Sequence, residues 1–530
     1  MQTGKTSPVI SPVGCELGHT IEKPTIGVLN ERRHADGPRV IEREQSGRPT
    51  AADPKGDRMQ RRSRIRRPRT ANGEILPPDQ PGPRGGRQEP HGRRQGSQGG
   101  HRPAGRRGAH RLTRRRRVGV LAGFAALAFA GLTTASGTPV ASRASAGSIS
   151  ARSDAVLGPC RISAGRSSTV QLSEGVPTSS GYAHSTGEIH TLNLMIDFPD
   201  APGEGTAMDR FHEFFPQTTR WFKTASYGRL DYHPEAPIKH WLRMPKPFKA
   251  YGINRGSPYE PGYHRLVNDI VATADPQVDF SKYDLINILV TPNAGPSALD
   301  TVLSVTFSGN KDAPHADGVP LSNTSFVYSR QDDGSGSYKH TGYRVLPHEN
   351  GHTFGLPDLY TTRGGGSVGH WDIMSEDWGA DNDLLGWHKW KLGWLDDNQV
   401  SCASSTGTME RELKPLETPG GRKLIFIPVS HNAGYAVEVR THAGNDDAVC
   451  RPGVLIYHVD ASVDTGRGPI SVSDSTKHSG GCTRQPNVEA ELSDATYKPG
   501  QTFTDKGAGI TVSVVSKDAG GAYTVRVTRS

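Results

Sequence analysis

"RVLPHENGHTFGLPDLY", residues 344 to 360, decides how the rest of the chain is read. It places His348 and His352 four residues apart with Glu349 between them, then follows Gly355 and Pro357 with Asp358. On a helix, side chains four residues apart differ by about 40° in rotation and about 6 Å in rise, so both imidazoles can meet one ion from the same face. Glu349 then projects beside that ion, not onto it. Gly355 can adopt the left-handed conformation that ends a helix, and Pro357 keeps the helix from resuming. The chain therefore reverses and carries Asp358 toward the ion from another direction. Two imidazoles and one carboxylate make three protein ligands, the number a catalytic zinc keeps beside one open position. Glu376 and Asp372 stand as alternatives for the third ligand. Pro347, immediately before His348, predicts a short helix that begins there.

That donor set implies hydrolysis. A zinc ion so held keeps net positive charge and lowers the pKa of water from ~15.7 toward ~7. Glu349 is the expected general base, taking the water's proton and returning it to the leaving amine. A helper for the developing oxyanion is expected from a Tyr or His nearby, such as His370.

Charge separates the chain into two unlike parts. Residues 1–117 hold 27 Lys and Arg against 11 Asp and Glu, a net charge of +16. Taken from the totals of 63 and 54, this leaves 36 basic and 43 acidic residues, or −7, for residues 118–530. The basic excess thus sits in a segment rich in Gly, Pro, Arg and Gln, which buries too little apolar surface to offset the entropy of ordering. Residues 1–117 read as a disordered leader, through an upstream start or an unusually long leader, with no nucleic-acid partner. Arg114 to Arg117 then precede a 15-residue apolar run, Val118 to Leu132, followed by Ala144-Ser145-Ala146. This is the order of a secretory signal over 118–146, and the run is shorter than the ~20 residues of a spanning helix. A secreted chain without a stable membrane anchor is the expectation.

Outside the leader stand Cys160, Cys402, Cys450 and Cys482. Four cysteines in an exported chain suggest two disulfides with three pairings open. Alternatively, Cys160 is a thiolate that blocks a catalytic metal in a latent form. Residues 147–187 are rich in Ser, Gly and Thr and read as a pro-segment or linker. Over 188–400, "IHTLNLMIDFPD" (Ile189–Asp200), "YDLINILVTPNAG" (Tyr283–Gly295) and "VLSVTF" (Val302–Phe307) predict strands, and "FHEFFPQTTRWFKTASYG" (Phe211–Gly228) and "LLGWHKWKLGWL" (Leu384–Leu395) predict helices. From 401 to 530 short β segments alternate with Gly, Pro and Asn/Asp turns, a spacing that suggests a β-sandwich-like region. The fold class is therefore α+β.

The spacing H-E-x-x-H-x-x-G-x-x-D matches the long zinc motif of metzincin-type peptidases, with Asp in place of the commoner third His. More closely, "HENGHTFGLPDLY" resembles the immune inhibitor A family of secreted metallopeptidases. The resemblance extends to "LNLMIDFPD", "SYGRLDYH" (Ser226–His233), "HWDIMSEDWG" (His370–Gly379), "LLGWHKWKLGWL" and "GVLIYHVD" (Gly453–Asp460). It implies a metzincin-like domain, His348 and His352 as zinc ligands, Glu349 as base and protein or peptide substrates. Met374 in "WDIMS" would be the methionine of the turn beneath the metal.

Other residues carry plainer readings. His458 alternates along a strand and reads as structural. The tryptophans from Trp371 to Trp394 read as core, with Trp371 and Trp378 also candidates for a substrate groove. Asp197, Asp200 and Glu204 form either a structural Ca2+ site or a solvated acidic turn. A catalytically inactive peptidase-fold protein that binds a surface or glycan is the competing class, and the presence of Glu349 argues against it.

Overall fold

The computed structural model describes residues 13–14, 157–165, 168–254, 256–294, 304–328, 342–361, 366–377, 383–482 and 490–530. The signal run, its cleavage site, Trp378 and all of the leader but Val13 and Gly14 lie outside the described residues. The fold mixes helix and sheet, as an α+β reading requires.

Among the described residues, the first part of the chain forms β1 (Val13–Gly14), β2 (Gly187–Asp197), β3 (Leu230–Glu235), β4 (Leu242–Arg243), β5 (Leu285–Val290), β6 (Val305–Phe307), the small hairpin β7 (His315–Ala316) and β8 (Val319–Pro320), and β9 (Thr324–Val327). The main sheet runs β1-β6-β9-β5-β2-β3, with β4 pairing the end of β2. Strands β3, β2, β5 and β9 are parallel, and β6 is antiparallel to β9. Parallel strands need covering on both faces, and the inner strands β2 and β5 accordingly read as mostly apolar, whereas the edge strand β3 (LDYHPE) does not. Ile286, Ile288 and Val290 turn toward α3 (His264–Ala274), which brings Leu266, Val267 and Ile270. Leu285 and Leu289 turn the other way, into a core shared with α2 (Gln217–Ala225) and α4 (Val345–Thr353).

The single helix expected over 211–228 is two: α1 (Ala207–His212) and α2, separated before Pro216. Proline has no N–H to continue the ladder, and its ring collides with the preceding turn. Helix α5 (Gly386–Lys391) is shorter than its pattern suggested, ending before Gly393, whose φ is +74°.

The C-terminal part forms two sheets. One runs β10 (Val400–Cys402), β12 (Leu424–Pro428), β13 (Ala433–Arg440), β14 (Gly453–Asp460), β15 (Ile470–Val472). The other runs β11 (Gly407–Leu413), β18 (Tyr523–Arg529), β17 (Ile510–Lys517), β16 (Thr502–Asp505). Ile425, Ile427, Val437 and Val439 face Val512, Val514, Val525 and Val527 across a common core. Their neighbours Leu424, Phe426, Ala436 and Tyr457 point the opposite way, into the core that also holds α4 and α5. The five-stranded sheet is thus buried on both faces, and the apolar core crosses residue 400 without interruption.

Residues 157–165 and 168–187 do not stand apart from this core. Leu157, Cys160, Ile162, Val176 and Glu174 are buried. Cys160 is joined to Cys402, and Cys450 to Cys482, which fixes one of the three pairings. Cys160 is therefore a structural half-cystine, and the reading of it as a metal-blocking thiolate is corrected.

Candidate metal centre

All nine residues of α4 are buried. The helix starts at Val345, two residues earlier than Pro347 suggested. Pro347 sits in the first turn, where its missing N–H would have had no helical partner in any case. At the other end Gly355, with φ +87°, closes the helix: its N–H donates to the His352 carbonyl at 2.9 Å and that of Leu356 to the Gly351 carbonyl at 3.0 Å. This is the left-handed ending that returns the chain.

The return brings Asp358 to the histidines. Asp358 Oδ1 lies 3.3 Å from Nε2 of His348 and 3.3 Å from Nε2 of His352. Bonds of about 2.05 Å at a tetrahedral angle would set ligand atoms about 3.3 Å apart, so the three atoms are close enough together to hold one metal ion. These three buried atoms make no hydrogen bond. Each imidazole is aimed by its other nitrogen: Nδ1 of His348 donates to the Ile373 carbonyl and Nδ1 of His352 to the Leu356 carbonyl, both at 2.7 Å. A carbonyl only accepts, so Nδ1 carries the hydrogen and Nε2 turns to the site.

The electrostatics favour a cation. Burial would lower the His348 pKa, but Asp358, Asp377 and Glu349 outweigh it and raise it to about 10. Burial would likewise raise Asp358, yet the two imidazoles hold its carboxyl well below the usual carboxylate range.

The alternative third ligands are engaged elsewhere. Asp372 accepts from the Met374 N–H through Oδ1 and from the Leu385 N–H and His388 Nδ1 through Oδ2. Glu376 Oε2 lies 3.2 Å from His370 Nε2. Asp358 is the carboxylate that joins the two histidines. Met374 packs beneath the helix: a Cβ on Gly351 would fall 2.5 Å from its Sδ.

Glu349 is held from the sheet. Thr306 on β6 donates to Glu349 Oε2 at 2.7 Å. Next to it, Asn350 enters a closed polar network. Its Nδ2 donates to Asn287 Oδ1, Asn287 Nδ2 donates to Asn193 Oδ1 and to the Tyr232 hydroxyl, and that hydroxyl donates to Asn350 Oδ1 at 2.7 Å. Sequence reasoning missed this anchor, although an Asn in the middle of two apolar strands, "LNLMID" and "LINILV", was its signal.

Of the two readings of Asp197, Asp200 and Glu204, a calcium site finds no support, since they are not a metal-ligand group among the described residues. Asp197 pairs with Arg243 and accepts from the Gly203 N–H, and Asp200 accepts from the Phe248 N–H. A second group, Glu188, Asp231 and His233, lies on the exposed β2–β3 edge. His458 stands edge-on to Tyr435, and burial lowers its pKa. Trp371 is buried and donates to the Leu492 carbonyl. No protein-family model matches this chain, and no curated protein matches it.

Proposed function

We propose that the protein is a secreted zinc-dependent endopeptidase, with a metzincin-like domain over residues 188–400 and a β-sandwich-like region over 401–530. The observation that carries the reading is the convergence of His348 Nε2, His352 Nε2 and Asp358 Oδ1 at zinc spacing, with a carboxylate one residue after the first histidine. Support also comes from the ordered resemblance to immune inhibitor A-type peptidases along the chain. Zinc, when bound by those three atoms, supplies the Lewis acidity that makes water a nucleophile near neutral pH and polarises a carbonyl. Glu349 accepts the water's proton at its carboxylate and hands it to the amine as the peptide bond breaks, since an unprotonated amine leaves poorly. Thr306 keeps Glu349 Oε2 oriented for that transfer. Two disulfides suit an oxidising compartment. No helix among the described residues is long and apolar enough to cross a membrane.

The test is a matched pair of variants assayed on casein and for bound zinc. Glu349→Gln is expected to retain zinc and lose turnover, while Asp358→Ala loses zinc affinity by orders of magnitude. Wild-type turnover in Glu349→Gln would refute the role of the base, and zinc retained by Asp358→Ala would refute the donor set.

A further inference from the structure

Asp358 is the one ligand not on the helix, and a carboxylate on a loop can rotate either oxygen, or both, toward an ion. Its orientation is set by a residue 107 positions away. Thr465, in the loop that leaves β14, accepts from the Asp358 N–H at 2.9 Å through Oγ1 and donates to Asp358 Oδ2 at 3.1 Å. The next N–H, of Gly466, donates to the Asp358 carbonyl at 3.2 Å. With Oδ2 so engaged, only Oδ1 faces the two Nε2 atoms.

The loop bearing Thr465 is itself seated by residues 171–173. Asp464 Oδ1 accepts from the Thr465 N–H at 2.9 Å and from the N–H groups of Gln171 and Leu172 at 3.0 and 3.3 Å. Ser173 donates to the Ala461 carbonyl at 2.6 Å, fixing the start of the same loop.

We propose that Thr465 is a positioning residue of the metal centre: it holds Asp358 so that a single carboxylate oxygen is presented beside the two imidazoles. The proposal rests on the zinc reading above. It also makes Gln171–Ser173 part of the working protein, since these residues brace the loop that carries Thr465. Outer partners of metal ligands typically change metal affinity by roughly 10- to 100-fold when removed.

The experiment uses the full chain with Thr465→Val, which keeps the shape and removes the hydroxyl, and Thr465→Ser, which restores it. Zinc affinity is measured by competition with a chelator, Co2+ absorption reports the coordination, and thermal unfolding of the metal-stripped proteins reports the fold. Thr465→Val is expected to bind zinc roughly 10- to 100-fold more weakly with an altered Co2+ spectrum, and Thr465→Ser to stay within about twofold of wild type. Should Thr465→Val fail to fold, Thr465→Ala carries the same expectation. Wild-type zinc affinity and Co2+ spectrum in the folded Val or Ala variant would overturn the proposal while leaving the zinc reading intact. Wild-type protein that binds no zinc would overturn both.

Discussion

His388 is enclosed by two carboxylates, and removing it is the sharpest perturbation of the fold that supports the site. Its Nδ1 lies 2.7 Å from Asp372 Oδ2, and its Nε2 lies 3.1 Å from each oxygen of Glu174, with all three side chains buried. Burial would lower the imidazole's pKa, but Asp372 and Glu174 outweigh that and raise it from 6.5 to about 10. At about 1.4 kcal/mol per unit, a rise of that size corresponds to at most about 5 kcal/mol of stability. Removing one partner from a buried ion pair independently costs about 3–5 kcal/mol, because the remaining charge is left uncompensated. His388→Gln is therefore expected to lose about 3–5 kcal/mol near pH 6.

The pH dependence has a definite sign. Between 6.5 and about 10 the folded protein keeps a proton on His388 that the unfolded chain has released. Stability from this group is full below the unfolded pKa, falls by about 1.4 kcal/mol per pH unit through that window, and is gone above it. Urea unfolding followed by tryptophan fluorescence, at about pH 6, 8 and 10 with metal chelated, gives the wild-type advantage over His388→Gln at each point. The advantage should shrink as pH rises. A constant gap, or one below about 1 kcal/mol at the lowest pH, would refute the argument.

Thr306→Val removes the donor to Glu349 Oε2; at about 1.5–3 kcal/mol for a hydrogen bond to a charged group, turnover should fall roughly 10- to 100-fold with zinc content unchanged by elemental analysis. Gly351→Ala forces a Cβ to within 2.5 Å of Met374 Sδ, and calorimetry should show a loss of about 1–3 kcal/mol from overpacking. Replacing Cys160 and Cys402 by Ser opens a separation of 242 residues against 32 for Cys450 and Cys482, so chain entropy predicts that the first pair stabilises by about 2 kcal/mol more, as denaturant titration would read.

The candidate metal group was legible because it is local. His348, His352 and Asp358 lie within one helix and its closing turn, and Gly355 and Pro357 state how the chain reverses. The strands were legible for a similar reason: "LINILV" and "GVLIYHVD" are buried on both faces and read as such. What lay beyond reach was whatever depends on distant segments meeting. The pairing of Cys160 with Cys402 follows from the N-terminal segment running against β12, where Cys160 Sγ also lies 3.3 Å from the Phe426 carbonyl. The Ser, Gly and Thr by which 147–187 reads as a pro-segment or linker give no sign of Glu174, whose burial against His388 has no local signature. Asp372 could not be separated from Asp358 as a ligand by spacing alone, because only the fold shows that both its oxygens accept from Met374, Leu385 and His388.

The supports of the site converge on one mechanical requirement. His348 Nε2, His352 Nε2 and Asp358 Oδ1 are gathered in burial without a hydrogen bond, and each buried polar atom so left costs about 1–3 kcal/mol. Such an arrangement persists only if the surroundings leave the side chains nowhere else to go. Here Nδ1 of each histidine is held by a main-chain carbonyl, Asp358 is held at its N–H, its carbonyl and Oδ2, and Asn350 bolts the intervening turn to three strands. The restraints on Asp358 come from the loop after β14, those on His348 from the turn at Ile373, and those on Asn350 from the main sheet. An ion that enters therefore meets donors already oriented, and the free energy of coordination is not spent on ordering them. That is also why the C-terminal sheet is expected to be inseparable from metal binding: cut away, it would take Thr465 with it and leave Asp358 free to turn.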